Sequence, residues 1–195
     1  ATIRSKGFIH PSHNIYALQK TFENISGTRE FAYEVTLCGY NESISRYMQV
    51  LYTKKHENIC CIGFKMYGMD VFTGEIHFFV DKDFSVNLTD TGAQISFSAS
   101  AGETVTFYYY LEDDMEKADF REVLHQYKQT IDALGFEGLL KECTDHYDSF
   151  YKLGYVKTAD EKLNSIYKTS LYSVKCNTTK ASIAVGFNNG SWDGR

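Results

Sequence analysis

Short runs of apolar and aromatic residues fill the first half of the chain, at roughly 8–12-residue spacing. The predicted strands cover residues 31–40, 45–53, 58–68, 75–81, 84–90, 93–100 and 104–112. Turn-forming pairs such as Thr73-Gly74 and Thr91-Gly92 separate them. Since no helical pattern lies between these runs, they predict an antiparallel β-sandwich. The run "AQISFSAS" alternates with a period of two, which indicates one buried face and one solvated face.

The apolar period becomes helical after Asp119, which with Glu122 is expected to cap a first helix. This helix should end at Gly135, and a second should end near Gly154. A third helix is predicted to begin at Thr158 with a capping box. Its buried face would consist of Leu163, Ile166, Tyr167, Leu171 and Val174.

Strands followed by helices predict an α+β fold, or two domains with a boundary near residue 112. The third helix allows two interpretations. Its apolar stripe either packs on the sheet, or belongs to a helical domain of which this chain holds only the beginning. The chain starts at Ala1 and stops at Arg195 within a motif, so we expect a piece of a longer chain or a processed product.

Composition excludes some classes of function. The 195 residues carry a net charge of −5, which argues against a nucleic-acid binder, because such a protein presents a basic surface to phosphates. No apolar run approaches the roughly 20 residues of a membrane span. Hydrophobic residues make up 43%, as expected for a globular domain with a substantial core.

The five cysteines do not suit a disulfide framework, because their number is odd and two are adjacent. They favour a reducing cytoplasm. Five Asn-x-Ser/Thr triplets instead favour secretion, but such triplets are common by chance, so we expect a cytoplasmic location with secretion as the alternative. The triplets begin at Asn24, Asn41, Asn87, Asn177 and Asn189.

Catalytic and metal-binding motifs are weak along the chain. His10 and His13, three residues apart around Pro11, lack a completing ligand set and are expected to be surface histidines. Cys60 and Cys61 are expected to point to opposite faces of one strand. We therefore predict no metal, no cofactor and no catalytic residue within these 195 residues.

The C-terminal stretch "GFNNGSWDGR" has a composition that suits sugar binding. The Trp192 ring can stack on the C–H face of a sugar. Asp193 accepts hydrogen bonds and Arg195 donates several in a fixed fork, so together they can bind neighbouring hydroxyls. Asn188 and Asn189 are further substrate-binding candidates. Asn-Gly and Asp-Gly are also ordinary turn dipeptides, so a plain loop stays open.

Three stretches in order carry a resemblance to a known superfamily: "AGETVTFYYYLEDD", a pair of helices, and "TADEKLNSIYKTSLYSVKCNTTKASIAVGFNNGSWDGR". This order resembles the six-hairpin glycosidases of the glucoamylase and maltose/kojibiose phosphorylase type. In those proteins an N-terminal β-sandwich leads through linker helices into an (α/α)6 barrel. The resemblance implies a sandwich at 1–111, linker helices at 112–157, and the start of the helical catalytic domain at 158–195.

The resemblance implies the N-terminal part of an inverting glycoside hydrolase or phosphorylase that acts on an oligosaccharide or glycoside. Inverting hydrolases use two carboxyl groups roughly 6.5–9.5 Å apart. The superfamily places its carboxylates beyond the first barrel helix, so this chain alone is expected to be inactive. Its partner would be the remainder of the (α/α)6 domain. A non-catalytic glycan-binding or assembly module is the alternative, with no nucleic acid or membrane as partner in either case.

Overall fold

The computed structural model describes residues 2–37, 47–67, 71–115, 119–154 and 156–177. It divides into two compact units, Ala1–His146 and Tyr147–Arg195. Within the described residues there are nine strands: β1 (Thr2–Ile9), β2 (Ile15–Glu23), β3 (Arg29–Thr36), β4 (Met48–His56), β5 (Ile59–Tyr67), β6 (Val71–Val80), β7 (Ser85–Thr89), β8 (Gly92–Ala99) and β9 (Thr104–Asp113). After them the described part of the chain forms the helices α1 (Phe120–Lys152) and α2 (Glu161–Asn177).

The strands form two antiparallel sheets of unequal size. The larger sheet has the order β1-β2-β9-β6-β5-β4, and the smaller has the order β3-β8-β7. The predicted α+β fold with an N-terminal antiparallel sandwich is confirmed, although the sequence pattern did not predict β1 and β2. Strand β1 is an exposed edge strand, so it carries no alternation of buried and exposed positions.

The six-stranded sheet is covered on both faces in the first unit. One face packs against the small sheet in an apolar core that includes Phe22, Phe78 and Phe107. The other face packs against α1 in a second core that includes Tyr110 and Leu124. Burial on both faces explains why β5 and β9 read as continuous apolar runs rather than as alternating patterns.

The adjacent cysteines of β5 confirm their predicted orientation. Cys60 lies in the core between the two sheets, whereas Cys61 lies on the opposite face, beside Glu75. Strand β8 likewise shows the predicted alternation, with Ile95 and Phe97 buried and Gln94 exposed.

The predicted turn at Thr73-Gly74 is wrong, because both residues lie inside β6. Gly74 pairs with Phe64 on one side and Asp113 on the other. A Cβ added to Gly74 would lie 2.6 Å from both the carbonyl oxygen of Glu112 and the Phe64 ring. The glycine is therefore required by close packing within the strand rather than by a turn.

The two predicted linker helices form one hydrogen-bonded element, α1, with a kink at Gly135. The backbone there has φ 59° and ψ −170°, a conformation that glycine adopts with little strain. The predicted break at Gly135 is thus confirmed. The inward face of α1 carries the residues that the helical spacing indicated, among them Leu124, Ile131 and Leu139.

The cap of α2 differs from the predicted capping box. Asp160 Oδ1 accepts hydrogen bonds from the backbone amides of Lys162 at 2.8 Å and Leu163 at 3.1 Å. Thr158 instead bonds the side chain of Asn164, with its amide 2.8 Å from Asn164 Oδ1. The N-cap is Asp160 because its carboxylate directly precedes the first helical turn.

In the second unit, α2 packs through aromatic contacts against the end of α1. The Tyr147 and Tyr172 ring centroids are 5.2 Å apart, and the Tyr167 hydroxyl donates to the carbonyl oxygen of Gly154 at 2.8 Å. Much of the predicted apolar stripe is nevertheless exposed: Leu163 at 53%, Ile166 at 54% and Val174 at 46%.

Candidate functional site

A buried carboxylate on the helix-facing side of the six-stranded sheet is the centre of the site. Glu75 of β6 is 2% exposed. Its Oε1 accepts hydrogen bonds from the Tyr52 hydroxyl at 2.6 Å and from Arg121 Nε at 2.8 Å. Its Oε2 lies 2.7 Å from His77 Nε2 and 3.3 Å from Cys61 Sγ. These four contacts satisfy the oxygens of a group that burial alone would make costly.

Strand register brings the cluster together. Cys61 pairs directly with His77, and Gly63 pairs with Glu75, so all four positions lie on neighbouring strands. Gly63 also pairs with Tyr52. A Cβ on Gly63 would lie 2.3 Å from the Tyr52 ring, so the glycine lets that ring cross over the strand and place its hydroxyl on Glu75.

The first turn of helix α1 contributes Arg121 to the cluster. Arg121 donates to Glu75, and its guanidinium lies 4.9 Å from the ring centroid of Phe120. Lys54 Nζ lies 3.8 Å from Glu75 Oε1 and adds a second positive charge. The carboxylate therefore links the sheet to the helix through groups of opposite charge.

The charge state of the cluster follows from these contacts. Burial acts to raise the pKa of Glu75, but hydrogen bonds from His77, Tyr52, Arg121 and Cys61 outweigh it and hold the pKa far below its usual range. Burial, with the nearby carboxylate, raises the pKa of the Cys61 thiol well above its usual range. Glu75 is therefore ionised and Cys61 is a neutral thiol near neutral pH.

The cluster also offers a set of metal-binding atoms. Among the described residues, Cys61, Glu75 and His77 form the one group of three whose ligand atoms all lie within 4.8 Å of one another. The predicted absence of a metal rested on the lack of a spaced sequence motif. Glu75 and His77 lie two residues apart on β6, and the register of the neighbouring strand β5 brings Cys61 to them.

A second feature is a cleft of about 590 Å³ beside the ends of β6 and β9. Its lining includes Phe79, Tyr108, Asp132 and three lysines. Lys128 bonds Asp132 at 2.6 Å, Lys82 bonds Glu103, and Lys55 lies 5.2 Å from the ring centroid of Phe84. Because the lysines are already engaged, the cleft presents a mixed polar surface rather than a concentrated positive charge.

The two histidines of the first loop are not both at the surface as predicted. His10 is 5% exposed, and its Nε2 lies 3.1 Å from Glu142 Oε2 on α1. Its Nδ1 accepts a hydrogen bond from the Ser12 amide at 3.3 Å. The His13 ring stacks on His10 with centroids 4.8 Å apart. Strands β1 and β2 carry this loop onto α1, which the local sequence does not indicate.

The sequence-predicted substrate-binding residues lie outside the described residues: Asn188, Asn189, Trp192, Asp193 and Arg195. Their role stays a prediction. The Glu75 cluster, in contrast, was missed by the sequence pattern. The available signal was the stretch "GEIHFFV", in which an acidic residue and a histidine alternate within an apolar strand. Charged residues at such positions are rarely buried without partners.

Neither of the described helices has the length and apolar content required to cross a membrane. No protein-family model and no curated protein matches the chain. The structure is similar to a solved one described as "Putative kojibiose phosphorylase from human microbiome". The TM-score is 0.69 with 14% identity over 89% of this chain.

The chain spans 24% of the length of that structure. At this identity the likeness bears on fold and not on chemistry. The likeness therefore bears on the α+β fold, a two-sheet antiparallel sandwich followed by helices.

Proposed function

We propose that the chain is the N-terminal part of a carbohydrate-active enzyme, an inverting glycoside hydrolase or phosphorylase. The observation that carries the proposal is the likeness to the kojibiose phosphorylase structure, which extends over 89% of this chain and so includes strands and helices together. In this proposal residues 1–111 form the sandwich, 112–157 the linker helices, and 158–195 the start of an (α/α)6 domain.

The exposed stripe of α2 supports a helical partner. Leu163 and Ile166 are more than half exposed, although α2 is capped at Asp160 and packs aromatic residues against the end of α1. Contiguous apolar surface on a protein marks a contact site. Further helices of an (α/α)6 domain would cover this stripe, and the catalytic carboxylates would lie on them.

The substrate in this proposal is an oligosaccharide or glycoside. Trp192, Asp193 and Arg195 would contact it at the rim of the pocket, together with Asn188 and Asn189. Stacking on the indole and hydrogen bonds to the charged pair would orient a sugar ring. No residue of this chain is assigned as general acid or base.

The direct test is made on the native protein. Its intact mass is measured under denaturing conditions, and it is incubated with kojibiose and with maltose, each with and without inorganic phosphate. We expect a mass well above 22.3 kDa and release of glucose 1-phosphate with phosphate, or of glucose without it. The recombinant 195-residue chain is the control and should be inactive.

A second candidate, a non-catalytic glycan-binding module, is favoured by the cleft at β6 and β9. Its carboxylates and lysines offer hydrogen bonds to hydroxyl groups, and the first unit has closed hydrophobic cores of its own. A native mass near 22.3 kDa without activity on either disaccharide would overturn the enzyme proposal. Glycan binding by that protein, lost in Asp132→Ala, would then support the module.

A pair of α2 variants tests whether the apolar stripe of this helix is covered in the native protein. Leu163→Glu should change the free energy of unfolding of the 195-residue chain by less than about 0.5 kcal/mol, because Leu163 is exposed there. In the native protein the same change should destabilise a buried contact. Ser165→Glu, at an exposed position on the opposite side of α2, is the matched control. Equal effects of the two variants in the native protein would contradict a covered stripe.

A further inference from the structure

We propose that Cys61, Glu75 and His77 bind a single Zn²⁺ ion on the helix-facing side of the six-stranded sheet. The three ligand atoms come from paired strands: Cys61 on β5 lies directly opposite His77 on β6, and Glu75 is two residues before His77. All three therefore point to the same face. The inference does not depend on the proposed function, because its test involves no sugar.

The distances are close to those of a tetrahedral site. Glu75 Oε2 is 3.3 Å from Cys61 Sγ and 2.7 Å from His77 Nε2, and all three atoms lie within 4.8 Å of each other. Metal–ligand bonds of roughly 2.0–2.3 Å place tetrahedral ligand atoms roughly 3.3–3.7 Å apart. Small side-chain adjustments are enough to reach that geometry.

The chemical types of the three ligands favour Zn²⁺ over Mg²⁺ and Ca²⁺. A thiolate, an imidazole and a carboxylate suit Zn²⁺, whereas Mg²⁺ and Ca²⁺ prefer oxygen ligands alone. Three protein ligands leave a fourth position for solvent. The His77 side chain is 20% exposed, so the site is open to solvent on that side.

The second carboxylate oxygen is held by other groups. Glu75 Oε1 accepts from Tyr52 and Arg121, which fix the plane of the carboxylate and leave Oε2 directed at the other two ligands. Such outer contacts are a regular feature of metal sites. Arg121 and Lys54 add positive charge near the ion, with Arg121 Nε 2.8 Å and Lys54 Nζ 3.8 Å from Oε1.

Binding of Zn²⁺ releases one proton from the protein. Zn²⁺ displaces the thiol proton of Cys61, which is released to solvent, and the Nε2 proton of His77 moves to Nδ1 through solvent. The ion is bound by one thiolate, one carboxylate and one neutral imidazole. No oxidation or reduction occurs.

The test uses Co²⁺ as a spectroscopic substitute for Zn²⁺ on the chelator-treated 195-residue chain. We expect one equivalent of Co²⁺ to give a near-ultraviolet sulfur-to-metal charge-transfer band and visible bands of a tetrahedral ion, which Zn²⁺ then removes. Cys61→Ser should lose the charge-transfer band. Cys60→Ser is the matched control, since Cys60 is the neighbouring residue on the opposite face.

His77→Ala provides a second variant if Cys61→Ser does not fold. We expect its Co²⁺ affinity to fall at least tenfold, while circular dichroism stays that of the parent chain. Zn²⁺ should also raise the melting temperature of the parent chain and of Cys60→Ser but not of His77→Ala. The absence of a one-equivalent band in the parent chain, or a band that persists in Cys61→Ser, would overturn the proposal.

Discussion

The two faces of the six-stranded sheet use neighbouring residues of the same strands for opposite kinds of packing. Cys60 faces an apolar core between the sheets, whereas Cys61 faces the ionised Glu75 and the helix. The first face is stabilised by buried apolar area, which many side chains share. The second face combines an apolar core with the directed hydrogen bonds of Glu75, and the loss of one partner there leaves a buried polar group unsatisfied. The four predictions below test this difference in chelator-treated protein.

The largest effect is expected from Phe78→Ala on the apolar face. Phe78 is 1% exposed, and its ring is stacked on that of Tyr109 with the centroids 6.1 Å apart. Its removal should lower the free energy of unfolding by roughly 3–5 kcal/mol, measured by urea denaturation. Phe79→Ala, on the helix-facing side, should cost less because Phe79 lines the open cleft and water can fill the space. A larger loss for Phe79→Ala would contradict the comparison.

The next effect is expected from Glu75→Ala on the polar face. Removal of the carboxylate leaves Tyr52 and Cys61 without their acceptor, so unfolding should become easier by roughly 3 kcal/mol. Glu23→Ala is the control, since Glu23 pairs with Arg4, whose side chain is 76% exposed, and its loss should cost less than about 1 kcal/mol. Similar losses in the two variants would show that burial does not strengthen the Glu75 contacts.

A pair of serine substitutions compares the faces directly. Cys60→Ser places a hydroxyl in an apolar core and should cost roughly 1–3 kcal/mol. Cys61→Ser should cost less than about 1 kcal/mol, because the hydroxyl can donate to Glu75 in place of the thiol. Thermal and urea unfolding of both variants measure the difference. An equal cost would mean that the two faces do not differ in polarity.

The smallest effect is expected from protonation of His10. Burial lowers the pKa of His10, more than hydrogen bonding to Glu142 raises it, and His13 and His146 lower it further. The unfolded chain therefore binds a proton at His10 before the folded chain does, and stability falls as the pH drops below about 6.5. The lowered pKa of Glu75 adds a second loss below about pH 4.3.

His10→Gln separates these two steps. The variant should lose the step near pH 6 and keep the step below pH 4.3 in a plot of the free energy of unfolding against pH. The control is His125→Gln, on the exposed side of α1, which should keep both steps. A pH profile of His10→Gln identical to that of the parent chain would show that His10 does not contribute.

Local pattern was sufficient where one residue decides the conformation. Gly135 interrupts a helical stripe, and the backbone there adopts a positive φ that favours glycine. The alternation in β8 predicted its buried face for the same kind of reason, because one side of that strand meets the core. Such signals depend only on neighbours in the chain.

Local pattern failed where the reason for a residue lies on another strand. Gly74 looks like a turn residue, but the Phe64 ring and the Glu112 carbonyl oxygen occupy the space of its missing side chain. His10 looks like a surface residue, but it contacts Glu142, which is 132 positions away in the sequence. Both contacts arise only after strands and helix have packed.

The sequence by itself determined the α+β order of strands and helices, the kink at Gly135 and the opposed directions of Cys60 and Cys61. Periodicity and backbone preference act over a few residues, so they are readable along the chain. The tertiary structure alone decided that Glu75 meets Tyr52, His77 and Arg121, because strand register and helix docking bring together residues far apart in sequence. A buried carboxylate is stable only once those donors surround it.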